Sequence, residues 1–238
     1  MLLLAGAVAV GVLSLAHTAP FAFLLEAFHR KESAWHLPST PTSPVVYLTY
    51  DDGPNPTATP LLLDVLSREN VRATFFLIDD RLSEETGPIV QRMFAEGHAV
   101  GLHSSKRWLM LRSAEDIAET LELAAQRVEQ FGGSRPCRWF RPHAGWRSAT
   151  LYEALESADY RLAGWSFGLW DWNWWRSREA EALADRLARR ARAGDIIVIH
   201  DGHHIDPRAD RQYAVDGTAK LIPLLRARQI GFERFPCV

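Results

Sequence analysis

Apolar runs fit for strands alternate with amphipathic segments along most of the chain, and this alternation constrains its fold more than any other feature. The runs predict strands at Val45–Tyr50, Ala73–Ile78, Ala99–Leu102, Arg138–Arg141, Arg161–Ser166, Ile196–His200 and Gly231–Phe235. Helical spacing of apolar residues fills the gaps at Ala58–Glu69, Glu84–Glu96, Ala114–Phe131, Ser148–Ser157, Arg178–Ala193 and Val215–Arg228. Ser113 with Asp116 reads as a capping box, and Asn70, Gly97 and Gly194 fall where helices should stop. Ile196-Ile197-Val198-Ile199 is apolar on both faces, as a parallel strand covered by helices requires. Seven strands alternating with six helices predict an α/β fold, a distorted (β/α)7-type barrel of parallel strands, with an open doubly wound sheet as the alternative. The 238 residues are enough for one such domain with a sizeable core.

The N-terminus differs in kind. From Leu2 to Leu25 there is no Asp, Glu, Lys or Arg. Such a run, at about 1.5 Å per residue, is long enough as a helix to cross about 30 Å of hydrocarbon. Residues 1–28 are therefore expected to be a hydrophobic helix anchoring the protein in a membrane, with a cleaved signal segment as the competitor. The catalytic domain is expected on the extracytoplasmic side, although Arg30 and Lys31 after the span argue for the opposite orientation. Residues 29–44, with Pro38, Pro41 and Pro44 among small polar residues, predict an extended linker, and the main domain is expected to span 45–238.

Composition excludes some classes of function. A net charge of −2 gives no overall case for nucleic acid. Arg186, Arg189, Arg190 and Arg192 share a helix with Leu183 and Leu187 and read as its solvated face. Cys137 and Cys237 are the two cysteines, too few for a disulfide framework or a cysteine-rich metal site. A monomer is expected.

Chemistry in such folds gathers where strands end and loops begin. Asp51 and Asp52, His103, Arg141 with His143, Asp171, and His200 with Asp201 stand at those ends. Adjacent acids make poor sheet, because neighbouring side chains on a strand point to opposite faces. At a strand tip, where Gly53-Pro54 turns the chain, both acids can converge on one cavity. There one can hold a cation while the other accepts a proton.

The ordered set resembles the polysaccharide deacetylases of carbohydrate esterase family four, from about Val45 to Phe235. Thr49-Tyr50-Asp51-Asp52-Gly53-Pro54 is similar to the family's first motif, with Tyr50 in place of Phe. His103-Ser104 looks like its second, Arg141-Pro142-His143-Ala144-Gly145 its third, Asp171-Trp172 its fourth and Val198-Ile199-His200 its fifth. The resemblance implies metal-assisted removal of an N-acetyl group from an amino-sugar glycan. It assigns Asp51 as general base, His200 as general acid, Arg141 as the partner of the base and Asp171 as the residue that tunes the acid. Trp172 and Val198 would form the slot for the acetyl methyl, and the N–H near Ala144 would meet the oxyanion. Asp52 and His103 would bind a divalent cation, zinc or another transition metal.

The pattern breaks at the third metal ligand. Arg107 stands four residues after His103, where the family places another ligand, and a guanidinium cannot coordinate a cation. His143 is the candidate to complete the site. The alternatives are a cation held by two side chains and water, or Arg107 pairing with Asp52 in place of the metal. The expectation is an active but atypical hydrolase, set against an O-acetyl esterase and a glycan-binding protein that has lost catalysis. Trp165, Trp170, Trp172, Trp174 and Trp175 suggest a sugar platform, with packing of most of them as the alternative. His203-His204 reads as part of a loop shaping the cleft rather than as a second metal site.

Overall fold

Eight strands, all paired in parallel, make one curved sheet in the computed structural model, which describes residues 2–29, 31–168 and 179–237. The strands are β1 (Ser33–Ala34), β2 (Val45–Gly53), β3 (Thr74–Ile78), β4 (Ala99–His103), β5 (Trp139–Arg141), β6 (Arg161–Ala163), β7 (Ile196–His200) and β8 (Gly231–Glu233). Their order is β1-β6-β5-β4-β3-β2-β7, with β8 beside the start of β2. The sheet curls so far that isolated bridges, His36 to Asp195 and Phe167 to Ile197, join its two ends. The architecture is a parallel-stranded half-barrel, coarser in closure than the expected barrel.

Helices α3 (Ala58–Arg68), α4 (Gly87–Ala95), α5 (Ala114–Gly132), α6 (Ala149–Ser157), α7 (Ala180–Arg190) and α8 (Gln212–Ala227) fall where the apolar spacing predicts them. They bury Leu62, Leu66, Val90, Ile117, Leu155, Leu187 and Leu221 against the strands. Helix α5 starts at Ser113, whose Oγ accepts from the Asp116 N–H at 3.1 Å. The predicted stops Asn70, Gly97 and Gly194 all take positive φ, at 48°, 78° and 86°. Cys137 and Cys237 form a disulfide that ties the approach to β5 to the chain's last residues.

Two expectations need correction. The N-terminal run forms α1 (Leu2–Thr18), only 17 residues, and a second helix α2 (Leu24–Phe28). Seventeen residues rise about 25 Å, short of the hydrocarbon thickness. No helix of the described residues is long and apolar enough to cross a membrane, so the membrane-anchored localisation is not supported. Pro20 stands just past the end of α1, where the chain turns back onto the half-barrel. Arg147, fully buried, donates to the carbonyls of Ala19 at 2.8 Å and Phe21 at 3.1 Å and pairs with Glu26. The first acid after the apolar run is thus buried in a pair with a residue 121 positions away. Burial alone would raise the Glu26 carboxyl. Hydrogen bonds from Arg147, the Phe23 N–H and Tyr152 outweigh it and hold the group below its ordinary value.

The second correction concerns residues 29–44. Ser33–Ala34, at the start of that stretch, pairs with β6 as β1, and Leu162 and Gly164 donate to the Glu32 and Ala34 carbonyls at 2.6 and 2.8 Å. Trp35 covers Gly164 so closely that an added Cβ there would meet the indole at 2.5 Å. The exposed edge of β6 supplies the reason, because an unpaired parallel edge recruits nearby extended chain.

Candidate active site

Strand β2 runs between β3 and β7, and Asp51 is paired in register with His200 of β7. Parallel neighbours lie about 4.8 Å apart, so the two residues project from the same level of the sheet. Both line a cavity of about 410 Å³ at the strands' C-terminal end.

Asp52 reaches the same cavity because the strand breaks there. Its φ is 69° and the β2–β3 register shifts between Asp51 and Gly53. The turn cancels the alternation that would otherwise send adjacent acids to opposite faces. Gly53 and Gly202 allow the turn to sit against the loop after β7. A Cβ on Gly202 would lie 2.0 Å from the Asp52 carbonyl oxygen, and one on Gly53 would lie 2.8 Å from the Asp201 carboxylate.

Arg141, at the tip of β5 and fully buried, is tied to four acceptors. It donates to Asp51 Oδ1 at 2.6 Å, Thr49 Oγ1 at 2.8 Å, and the carbonyls of Gly164 at 3.0 Å and Ala163 at 3.3 Å. Its guanidinium also lies 4.0 Å from the Phe76 ring centre. The partner predicted for Asp51 is therefore in contact with it.

His103, paired with Arg141 across β4 and β5, donates from Nδ1 to the Arg141 carbonyl at 2.6 Å. That bond turns Nε2 towards Asp52, whose Oδ1 is 3.2 Å away. A carbonyl holding the outer nitrogen while the inner one faces a carboxylate is the arrangement of a metal-binding histidine. Burial alone would lower the imidazole. The hydrogen bond to Asp52 and the charges of both acids outweigh it and raise its basicity. The same contact drives the Asp52 carboxyl well below the usual range, against the effect of its burial.

His143 and Ala144 lie in a one-turn 3-10 helix after β5, with Ala144 at φ 49°. The His143 ring centre is 6.5 Å from that of His103 and 5.1 Å from that of His204. Burial, then the charges on His103 and His204, push the His143 imidazole down to about 4. Among the described residues no three His, Cys, Asp or Glu side chains stand close enough together to hold a metal ion. Asp52 and His103 offer two donors side by side, and His143 stands farther off. Arg107 lines the cavity but does not pair with Asp52, whose partner is His103.

Val198 and the buried Trp165 line the cavity floor. Asp171 and Trp172, with Trp170, Trp174 and Trp175, lie outside the described residues.

Three cavity residues escaped the sequence reading: Thr18 and Pro20 reach the wall from the N-terminal segment, and Arg211 from the stretch before α8. His203 and His204, read from the sequence as part of a loop shaping the cleft, line the same cavity. Asp201 is buried beneath them and accepts from Thr59 Oγ1 at 2.5 Å, while its other oxygen has no partner. Burial, opposed by the Thr59 bond and reinforced by the charges of Asp51 and Asp52, pushes its carboxyl up to about 7. The sequence places Asp201 at the strand end beside His200 but gives it no role.

Comparison with known proteins gives the arrangement a family. A family model for polysaccharide deacetylases matches residues 39–163, more than half of the chain. The chain belongs to the polysaccharide deacetylase family. It is 32% identical over 201 residues to the chitooligosaccharide deacetylase of Sinorhizobium fredii, covering 82% of this chain and 91% of that protein. It is 28% identical over 202 residues to a peptidoglycan-N-acetylglucosamine deacetylase of Bacillus cereus, covering 83% and 88%. Among solved structures, a family four acetyl xylan esterase from Clostridium thermocellum, in complex with a cobalt ion, matches with a TM-score of 0.67 and 29% identity over 80% of this chain and 87% of that one. Polysaccharide deacetylases of this family generally depend on a divalent metal.

Proposed function

We propose that this polysaccharide deacetylase hydrolyses the N-acetyl group of an amino-sugar glycan with Asp51 as base and His200 as acid. One observation carries the reading: these two side chains sit in register on adjacent strands, at one cavity that also holds the Asp52–His103 pair. Asp51 takes a proton from the attacking water as its oxygen bonds to the acetyl carbon. His200 then gives a proton to the sugar nitrogen as the C–N bond breaks, leaving acetate and an amine.

Arg141 holds and aims Asp51 by a charge-assisted bond. The family resemblance gives Asp171 the task of orienting His200 and gives Trp172, with Val198, that of receiving the methyl. The backbone N–H near Ala144 would meet the developing oxyanion, a contact worth about 3–4 kcal/mol in such sites. Asp52 and His103 would hold a divalent cation, with His143 as the candidate third donor. When bound, the cation supplies Lewis acidity at the carbonyl and makes hydroxide accessible near neutral pH. The comparisons favour an N-acetylated glycan, because both curated relatives named above are N-deacetylases or act on chitooligosaccharides.

A second reading, O-deacetylation, is favoured by the acetyl xylan esterase among the structural matches. Acetate release from chitooligosaccharides, peptidoglycan fragments and acetylated xylan, with EDTA and with zinc, cobalt or nickel restored, tests both. N-deacetylation abolished by Asp51→Asn and by EDTA is expected. Release from acetylated xylan alone selects the esterase, and release from nothing under any metal overturns the enzymatic reading.

A further inference from the structure

Two guanidinium groups stand at the cavity wall with no carboxylate paired to them among the described residues. Arg211, just before α8, is 2% exposed and lines the cavity. Its Nη1 donates to the Tyr213 hydroxyl at 2.5 Å, while its Nε has no hydrogen-bond partner. It forms no ion pair among the described residues. Arg107, from the segment after β4, is exposed at the same cavity and is likewise without an ion pair among the described residues. Both line the same cavity as His204, and both charges act on its imidazole.

Among the described residues no nearby acid pairs with either arginine. Asp51 is held by Arg141 and Asp52 by His103, and Asp201 accepts from Thr59 through one oxygen while the other has no hydrogen-bond partner. Asp206 and Asp210 each accept from a backbone N–H two residues on, at 2.9 Å. Burying a cation without a counter-charge is costly, and removing one partner of a buried pair is among the most destabilising changes a protein meets. A guanidinium kept in that state beside a substrate cavity awaits a negative charge from the ligand. Arginine suits this task, because its planar fork matches carboxylate and phosphate alike and it cannot lose its proton.

We propose that Arg211 and Arg107 form an anion subsite, and that the glycan bears a carboxylate or phosphate group on or beside the acetylated amino sugar. The subsite deepens the deacetylase reading above and rests on it for the kind of ligand. It also gives Arg107 a task at the position where the family places a metal ligand. The loop carrying the histidines is held in place by Arg81, which donates to the carbonyls of His203 at 3.2 Å and Ile205 at 3.0 Å. The wall is therefore built before the ligand arrives.

The test is calorimetric binding and acetate release by the full chain on three N-acetylated oligosaccharides of equal length. One is neutral, one carries an ether-linked carboxymethyl group, and one carries a phosphate monoester. One or both acidic ligands are expected to bind about tenfold or more tightly than the neutral one, with the preference fading as salt screens it. The better of the two identifies the anion. Arg107→Gln and Arg211→Gln should each cut the acidic-to-neutral ratio of kcat/KM by about ten- to a hundredfold, the effect of one charge-assisted hydrogen bond. Arg107 is exposed, so its variant decides the question even if Arg211→Gln does not fold. Equal binding of neutral and acidic ligands, or variants that weaken both alike, overturns the subsite even where acetate is released. Preferential binding of an acidic glycan with no acetate released from any ligand supports the subsite and refutes the deacetylase reading instead.

Discussion

Replacing Arg141 by Gln tests how the site is held together. The wild-type side chain is fully buried and satisfies a carboxylate, a hydroxyl and two carbonyls. Removing one member of a buried charge pair costs about 3–5 kcal/mol, because the other charge stays buried and unpaired. Arg141→Gln should therefore destabilise the fold by about that amount. The part owed to Asp51 can be isolated, since Asp51→Asn removes its charge with little change of shape. In the Asp51→Asn background the Arg141 substitution should cost about 1.5–3 kcal/mol less, the range for a hydrogen bond to a charged group. The remaining cost belongs to Thr49, Ala163 and Gly164, which lose a donor in either background. Urea unfolding of the four proteins, followed by tryptophan fluorescence, measures the cycle. A coupling below about 0.5 kcal/mol, the usual additivity error, would refute the claim that the pair aims and holds the base.

Glu26→Gln strands the buried Arg147 and should cost about 3–5 kcal/mol in the same assay. Because Glu26 is held below its ordinary 4.5, its stabilisation is present above that value and lost as pH falls through the lowered one. The variant should consequently lose less stability than wild type as pH falls below that ordinary value, and parallel losses would contradict the assignment. Gly202→Ala sets a Cβ 2.0 Å from backbone oxygen that cannot swing aside, so it should cost about 1–3 kcal/mol and abolish acetate release by shifting Asp52. Unchanged release would show that the two strand tips do not need this contact. Cys137→Ser opens a loop of 100 residues and should lower stability by about 4–5 kcal/mol on the chain-entropy model. A reductant should shift the urea midpoint of wild type and leave that of the variant unmoved.

What the sequence revealed and what it hid divide along the range of the interactions. Apolar strands, helix stops and the acid pair are local signals. Asn70, Gly97 and Gly194 take the positive φ that their residue types suit, and Asp51-Asp52 breaks its strand where Gly53-Pro54 turns it. The residues at the strand tips share one cavity because a parallel sheet points all its C-terminal ends the same way. Contacts made across long separations left no local trace. The two residues of β1 are too few for a period, and only the free edge of β6 selects them. An apolar composition at the N-terminus does not say where its helix stops, and the helix ends after 17 residues; the pair that ties down the segment beyond it, Glu26 with Arg147, spans 121 positions. Arg211 carries no motif; only the fold brings it to the cavity wall.

The site divides into two halves that share one residue. Asp51 and His200 owe their spacing to backbone, because strand register and the contact of Gly53 and Gly202 with the neighbouring loops fix both tips. Asp52 and His103 owe theirs to a left-handed turn on one side and a single hydrogen bond on the other. Arg141 serves both, its side chain holding Asp51 and its carbonyl holding His103. A change of its side chain removes only the first support, since any residue supplies the carbonyl. Failure in an Arg141 variant should therefore fall on the proton acceptor before it falls on the Asp52–His103 pair. Loss of both together would mean that the tip of β5 itself had moved.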